Sequence, residues 1–255
     1  MPRIARFAVL LLLALTIATP AQAEIGGDDT TIYQSGGAAG LAIAPSGDLF
    51  TAIRDIGKFD ILRSQDSGIT WQTWSTVGDD GDPDTYYWIH DLDIVDAAQD
   101  RFYLTYVVSY YTAGNVTSQS LMMAWANPNT DTPVWTETTV APSAGAVLGD
   151  ANFATDAASF STYNIYVVFE KRADNGDDIW FARSTDQAAS FEAPYIIGDS
   201  FNWDLDYQNP SVCYGFDGWV HVAWQASKID LSDSGIRYRG AANRASSSGE
   251  WDAAD

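Results

Sequence analysis

The sequence predicts an all-β fold, a β-propeller of four-stranded antiparallel blades. Three observations predict it. Short alternating strands are bounded by turns rich in Gly, Ser and Asp. One layout of strands and turns recurs four times along the chain. Each copy closes on an aromatic residue, Trp71, Trp135, Phe191 and Trp251, at spacings of 64, 56 and 60 residues. A sandwich also has short strands and turns, but it does not repeat as four-strand units.

The chain opens with a leader. Arg3 and Arg6 precede a largely apolar run from Phe7 to Ala18, and Ala21-Gln22-Ala23 supplies the small residues of a cleavage site. Residues 1–23 therefore read as a signal peptide, and residues 24–255 as the propeller domain. The expected location is secreted or periplasmic. No later stretch is apolar enough to read as a transmembrane segment.

The first unit contains strands at 40–44, 48–54 and 59–63, a polar turn ending at Trp71, and a strand at 72–77. The second repeats this with 90–95, 101–108, 120–125 and 136–140. The third has 164–169, 178–183 and 192–197. The fourth has 210–214, 218–224 and 235–239, and its outer strand is missing. About four blades are present, which fits an incomplete six- or seven-bladed ring better than a closed one.

Composition narrows the partners. The chain carries 34 acidic against 13 basic residues, a formal charge of −21. That excess argues against nucleic acid and against an anionic membrane surface, both of which attract basic patches. Cys213 is the single cysteine, so stability must come from the apolar core rather than from an internal disulfide. Ten tryptophans and thirteen tyrosines supply large side chains for such a core.

The segment Ser64-Gln-Asp-Ser-Gly-Ile-Thr-Trp71 resembles the Asp-box of the sialidase-like (BNR repeat) β-propellers, Ser/Thr-x-Asp-x-Gly-x-Thr-Trp. Ser184-Thr-Asp-Gln-Ala-Ala-Ser-Phe191 is a second copy that keeps Ser184, Asp186, Ser190 and Phe191 but has Ala188 for the glycine. The turns at 127–135 and 244–251 hold the place of the motif with most of its letters lost. The chemistry of the box is that of a turn. Ser64 and Asp66 can bond to backbone groups, Gly68 supplies a conformation costly for other residues, and Trp71, after Thr70, returns the chain to the core. The resemblance implies a structural role for these residues at a blade edge, away from the central pocket.

The resemblance also implies an arginine triad, a Tyr/Glu nucleophile pair and an acid/base Asp wherever a member is a sialidase. The first triad arginine would fall near Gly37, where the sequence is Ser35-Gly-Gly-Ala-Ala39. Arg54, Asp55 and Asp60 remain as candidates for catalytic groups. Tyr87, Trp88 and Asp91, with Trp203, Asp204 and Tyr207, form two aromatic–acidic clusters suited to stacking on sugars and bonding their hydroxyls. Asp80, Asp82 and Asp84 are candidate calcium ligands, because hard cations favour oxygen donors, and no other cofactor is called for. The acidic run at 174–178 reads as a hairpin turn around Asn175-Gly176. His90 and His221 stand far apart in sequence and match no metal-ligand spacing.

These observations lead to an exported propeller that binds glycan or an extracellular protein without catalysis. The alternative is a glycoside hydrolase of the sialidase-like class, with part of its site in a C-terminal region beyond residue 255. A structural cell-surface repeat module is the second alternative.

Overall fold

Alternation of apolar and polar residues lays down fifteen strands in four separate antiparallel sheets among the described residues. A computed structural model describes residues 38–55, 57–78, 84–95, 100–143, 147–157, 162–173, 176–200, 205–228, 234–242 and 244–252. These fall within one compact unit, 32–255. The first sheet comprises β1 (Ala38–Ile43), β2 (Leu49–Asp55), β3 (Lys58–Ser64) and β4 (Gln72–Gly78). The second comprises β5 (Thr85–Val95), β6 (Arg101–Thr112), β7 (Asn115–Ala126) and β8 (Thr136–Ser143). The third holds β9 (Val147–Thr155), β10 (Ile165–Ala173), β11 (Gly176–Ser184) and β12 (Tyr195–Gly198). The last holds β13 (Leu205–Tyr214), β14 (Val220–Lys228) and β15 (Ser234–Ala241).

Within each sheet the strands pair in chain order, as a blade requires. The fold class read from the repeat is therefore the fold observed. The fourth sheet has three strands among the described residues. Among the described residues, a bridge between Ala241 and Trp251 stands in the place of a fourth. The first strand of the third sheet, β9, has no counterpart in the sequence reading. The strand expected at 90–95 begins earlier, so that Tyr86 to Asp91 lies inside β5. The leader, Asp80, Asp82, Trp203 and Asp204 lie outside the described residues.

The first strands β1, β5, β9 and β13 share one irregularity. Each breaks register with its second strand, at Ala39/Ala42, Ile89/Asp91, Leu148/Ala151 and Gln208/Ser211. Such bulges re-aim side chains where a strand borders another layer. These strands also carry the contacts between blades. Asp91 Oδ2 on β5 accepts from Asn152 Nδ2 (2.7 Å) and Phe153 N (3.1 Å) on β9. Asn152 Oδ1 then accepts from Val212 N on β13 (2.9 Å).

Three apolar clusters fill the spaces between successive sheets. Phe50, Trp74, Phe102 and Trp135 meet edge-on or tilted in the first, with Phe50 and Trp74 centroids 5.0 Å apart. Trp251 repeats the role of Trp135 two interfaces later, 5.0 Å from Phe181. Trp135 Nε1 donates to Ser75 Oγ and Trp251 Nε1 to Tyr195 Oη, so these closing aromatics bury their rings without orphaning their N–H groups.

The segments Ser64–Trp71 and Ser184–Phe191 close the β3–β4 and β11–β12 connections with the same bonds. Ser64 Oγ donates to Asp66 Oδ1 and accepts from Gly68 N, both at 2.8 Å. Asp66 also accepts from Thr70 N (2.8 Å) and Thr70 Oγ1 (2.6 Å). Ser184, Asp186, Ala188 N and Ser190 reproduce the set. The backbone pair Ser67 and Gly68 has φ of 61° and 90°. Gln187 and Ala188 follow at 61° and 67°, and Arg244 and Ala245 at 60° and 50°. The left-handed turn thus persists in the fourth unit, where the motif's letters are gone.

Candidate functional site

Antiparallel order divides every blade into two ends. The box turns lie at one end. At the other lie the starts of the first strands and the hairpins joining second to third strands. The chemistry collects at this second end.

Glu170 near the end of β10 is fully buried. Across the hairpin, Arg172 is the register partner of Asp177 on β11. Arg172 Nε donates to Glu170 Oε1 at 3.1 Å and lies 3.5 Å from Asp177 Oδ2. Glu170 Oε2 accepts from Asp150 N on β9 (3.1 Å), and Asp206 Oδ1 on β13 accepts from Asp177 N (3.3 Å). The site is therefore built from β9, β10, β11 and β13. Gly149 makes room for it, since a Cβ there would stand 2.3 Å from Glu170 Oε2. The bulge in β9 falls at this point, opposite Glu170.

The carboxylates are driven apart electrostatically. Burial pushes Asp177 up to about 7, helped by its hydrogen bond with Glu170 and by the charges of Asp206 and Glu170, against the pull of Arg172. Asp150 moves the other way. Its hydrogen bond with His90 holds it below the usual carboxylate range, and Arg172 adds to this. His90 Nδ1 on β5 faces Asp150 Oδ1 at 3.5 Å. Burial opposes the charged form of Arg172, but Glu170, Asp177 and Asp150 outweigh it and raise its pKa. One acid held protonated toward neutral pH beside one held ionised is the division of labour that acid–base chemistry requires.

Arg54, late in β2, lays its guanidinium 4.1 Å from the ring centroid of Trp88 on β5, and Trp88 is 44% exposed. This pair sits toward the same end of its blades as the acidic cluster. Asp55 ends β2 opposite Lys58. Asp60, mid-strand in β3, accepts from Thr76 Oγ1 on β4, within the blade rather than on a first strand. Tyr87 packs edge-on against Phe59 and tilted against Tyr106. Asp91 joins β5 to β9, and burial pushes it up to about 6 against the backbone bonds it accepts. Tyr207 is buried against Trp224, with centroids 5.8 Å apart. Asp84 is the one described member of the calcium candidates. Among the described residues no group of three or more His, Cys, Asp or Glu is arranged to hold a metal ion.

Sequence reading missed Glu170, Arg172, Asp177 and Asp150. The available signal was the alternation Glu170-x-Arg172 facing Asp177 across a hairpin, which puts three charged groups on one face of a mostly apolar strand pair.

The fold and this site define a β-propeller with charged chemistry at one end of its blades. No family model matches the chain, and no curated relative matches it either. Solved structures do match. An α-L-arabinanase from Penicillium chrysogenum, complexed with arabinobiose, aligns at TM-score 0.58 and 13% identity, covering 84% of this chain and 64% of that one. An α-L-arabinofuranosidase from Fusarium graminearum aligns at 0.57 and 12%, covering 80% and 62%. An endo-arabinase from Bacteroides thetaiotaomicron aligns at 0.53 and 13%, covering 86% and 79%. At these identities the likeness is one of fold. The chain spans under two thirds of the length of the first two. The Asp-box resemblance finds no sialidase among these three. Among the described residues no helix is long and apolar enough to cross a membrane.

Proposed function

We propose that the protein acts on glycans, cleaving a glycosidic bond at the end of the blades where Glu170, Asp177 and Asp150 meet. The observation that carries this reading is the hydrogen-bonded pair of Glu170 and Asp177, buried beside Arg172, next to an ionised Asp150. Glycoside hydrolysis uses one carboxylic acid to protonate the leaving oxygen and one carboxylate to attack or to activate water. Asp177 supplies the proton and Glu170 holds it there, while Asp150 is the charged partner. Arg172 bonds to Glu170 and lies beside Asp177, and its charge favours the ionised Asp150. The arabinan-active enzymes of like fold support a sugar substrate, and export through the leader would place the protein where polysaccharide is met.

The test is release of reducing sugar from arabinobiose and from a panel of neutral polysaccharides, with a fluorogenic sialoside to probe the sialidase-like alternative. Asp177→Asn and Asp150→Asn are each expected to lower turnover by roughly 100-fold or more, the usual contribution of a positioned acid or base. Turnover unchanged in both variants would refute the assignment.

Non-catalytic glycan binding is favoured by one feature of its own, the exposed Trp88 ring backed by Arg54. Glycan affinity without turnover, lost in Trp88→Ala and kept in Asp177→Asn, would select that reading.

A further inference from the structure

The third and fourth blades do not meet along their whole depth. Where β12, the outermost strand of the third blade, faces β14 and β15, they leave a cavity of about 470 Å³. Ile197 and Gly198 line it from one side, and Tyr207, Trp224, Arg237 and Arg239 from the other. Strand register explains the second wall. Trp224 pairs with Arg237 and Val222 with Arg239, so alternation turns both arginines to the face carrying Trp224. The cavity is distinct from the acidic cluster. Asp206 turns to Asp177, while the next residue, Tyr207, turns to the cavity.

Its polar groups are mismatched to the protein around them. Trp224 is 1% exposed, and its Nε1 has no hydrogen-bond partner among the described residues. Arg239 Nη1 donates to Ile197 O at 2.8 Å, but its Nε is also buried and unpartnered. A buried N–H left unpaired costs about 1–3 kcal/mol, and two such donors belong to side chains lining one cavity. The chain carries a net charge of −21 with only 13 Lys and Arg, yet two arginines line this cavity beside one acid, Asp199. Gly198 keeps it open, since a Cβ there would come 3.1 Å from Trp224 Cζ2 and 3.2 Å from Tyr207 Cδ2.

Every unmet need here is for an acceptor. A carboxylate supplies acceptors only, carries the complementary charge and matches the guanidinium fork. Ile197 and the aromatic edges offer an apolar wall for the rest of the molecule, and the volume suits a single sugar ring. We infer that this interblade cavity is a binding site for a small carboxylate-bearing ligand of the size of an acidic monosaccharide.

Isothermal titration calorimetry with glucuronate, galacturonate and glucose at low ionic strength tests this. The expected result is binding of at least one uronate, no binding of glucose, and weakening as salt is added. Arg237→Gln should lower uronate affinity by roughly tenfold or more, the scale of a charge-assisted hydrogen bond. Arg237 is the cleaner probe, because Arg239 also ties β12 to the last blade. Asp177→Asn should leave uronate binding unchanged, which separates this site from the proposed catalytic one. Equal binding of glucose and uronate, uronate affinity unaltered in Arg237→Gln, or absence of heat with both uronates would overturn the inference.

Discussion

Asn152→Ala tests whether the first strands of the blades are held together by side chains as described. Asn152 makes two bonds in opposite directions, to Asp91 on β5 at 2.7 Å and from Val212 N on β13 at 2.9 Å. Removing the first deletes a hydrogen bond to a charged group, worth about 1.5–3 kcal/mol. Removing the second leaves the Val212 amide unpaired, at about 1–3 kcal/mol. Asp91 keeps its bonds from Leu92 N and Phe153 N, which argues for the lower half of that range. The expected loss is about 3 kcal/mol. In a domain of this size that lowers Tm by roughly 6–12 °C. Urea unfolding followed by tryptophan fluorescence, with calorimetry for Tm, gives the value. Asn115→Ala is the control, since Asn115 is exposed and should stay within about 0.5 kcal/mol of the parent. Asn152→Asp sharpens the test. It sets two carboxylates against each other at neutral pH, so that variant should be weakest near pH 7 and recover as acid protonates the pair. A loss for Asn152→Ala no greater than the control would refute the interblade role.

Two further expectations concern pH and the turns. Asp91 and Asp177 are raised to about 6 and about 7, while their unfolded values lie near 3.9. The folded state therefore binds more protons than the unfolded one in this window, and stability should fall as pH rises from about 4 through 7. Asp66, Asp186 and Asp150 are lowered instead, so their contribution is lost only below about pH 4. A urea series between pH 4 and 7 showing flat or rising stability would contradict this. At the turns, Gly68→Ala is expected to cost about 1 kcal/mol, because φ is 90° there although a Cβ would meet only ordinary contacts. Ala188→Gly should be near neutral, since relief at φ 67° is offset by loss of a methyl that is wholly buried. Chemical denaturation of the two variants distinguishes these outcomes.

The fold was legible because its determinants are local and repeated. Phe50, Tyr103 and Tyr166 stand at matching places in second strands, opposite Arg63, Trp125 and Arg183, and each is buried between its own blade and the next. The strand β9 escaped notice because Val147-Leu-Gly-Asp-Ala-Asn-Phe-Ala-Thr155 carries a Gly, an Asp and an Asn that ordinarily mark loops. Tertiary context overrides that signal. Gly149 is required by Glu170, Asp150 N caps the same carboxylate, and Asn152 bonds to two neighbouring blades. The three residues that made the segment look like a loop are those that tie it to the site and to the neighbouring blades.

The same logic explains why the strongest motif was the poorest guide to chemistry. Ser64 to Trp71 satisfies its own polar groups within eight residues, so it is readable in any chain that contains it. It closes a connection between third and fourth strands, and so does Ser184 to Phe191. The acidic cluster depends on the other end of the blades, where β5, β9, β10, β11 and β13 bring together residues as distant as His90 and Asp206. Only Glu170, Arg172 and Asp177, on one hairpin, bond within a local pattern, and the rest come from other strands. A motif that completes itself locally specifies the frame. Chemistry in a propeller comes from groups that remain incomplete until several blades have been placed side by side.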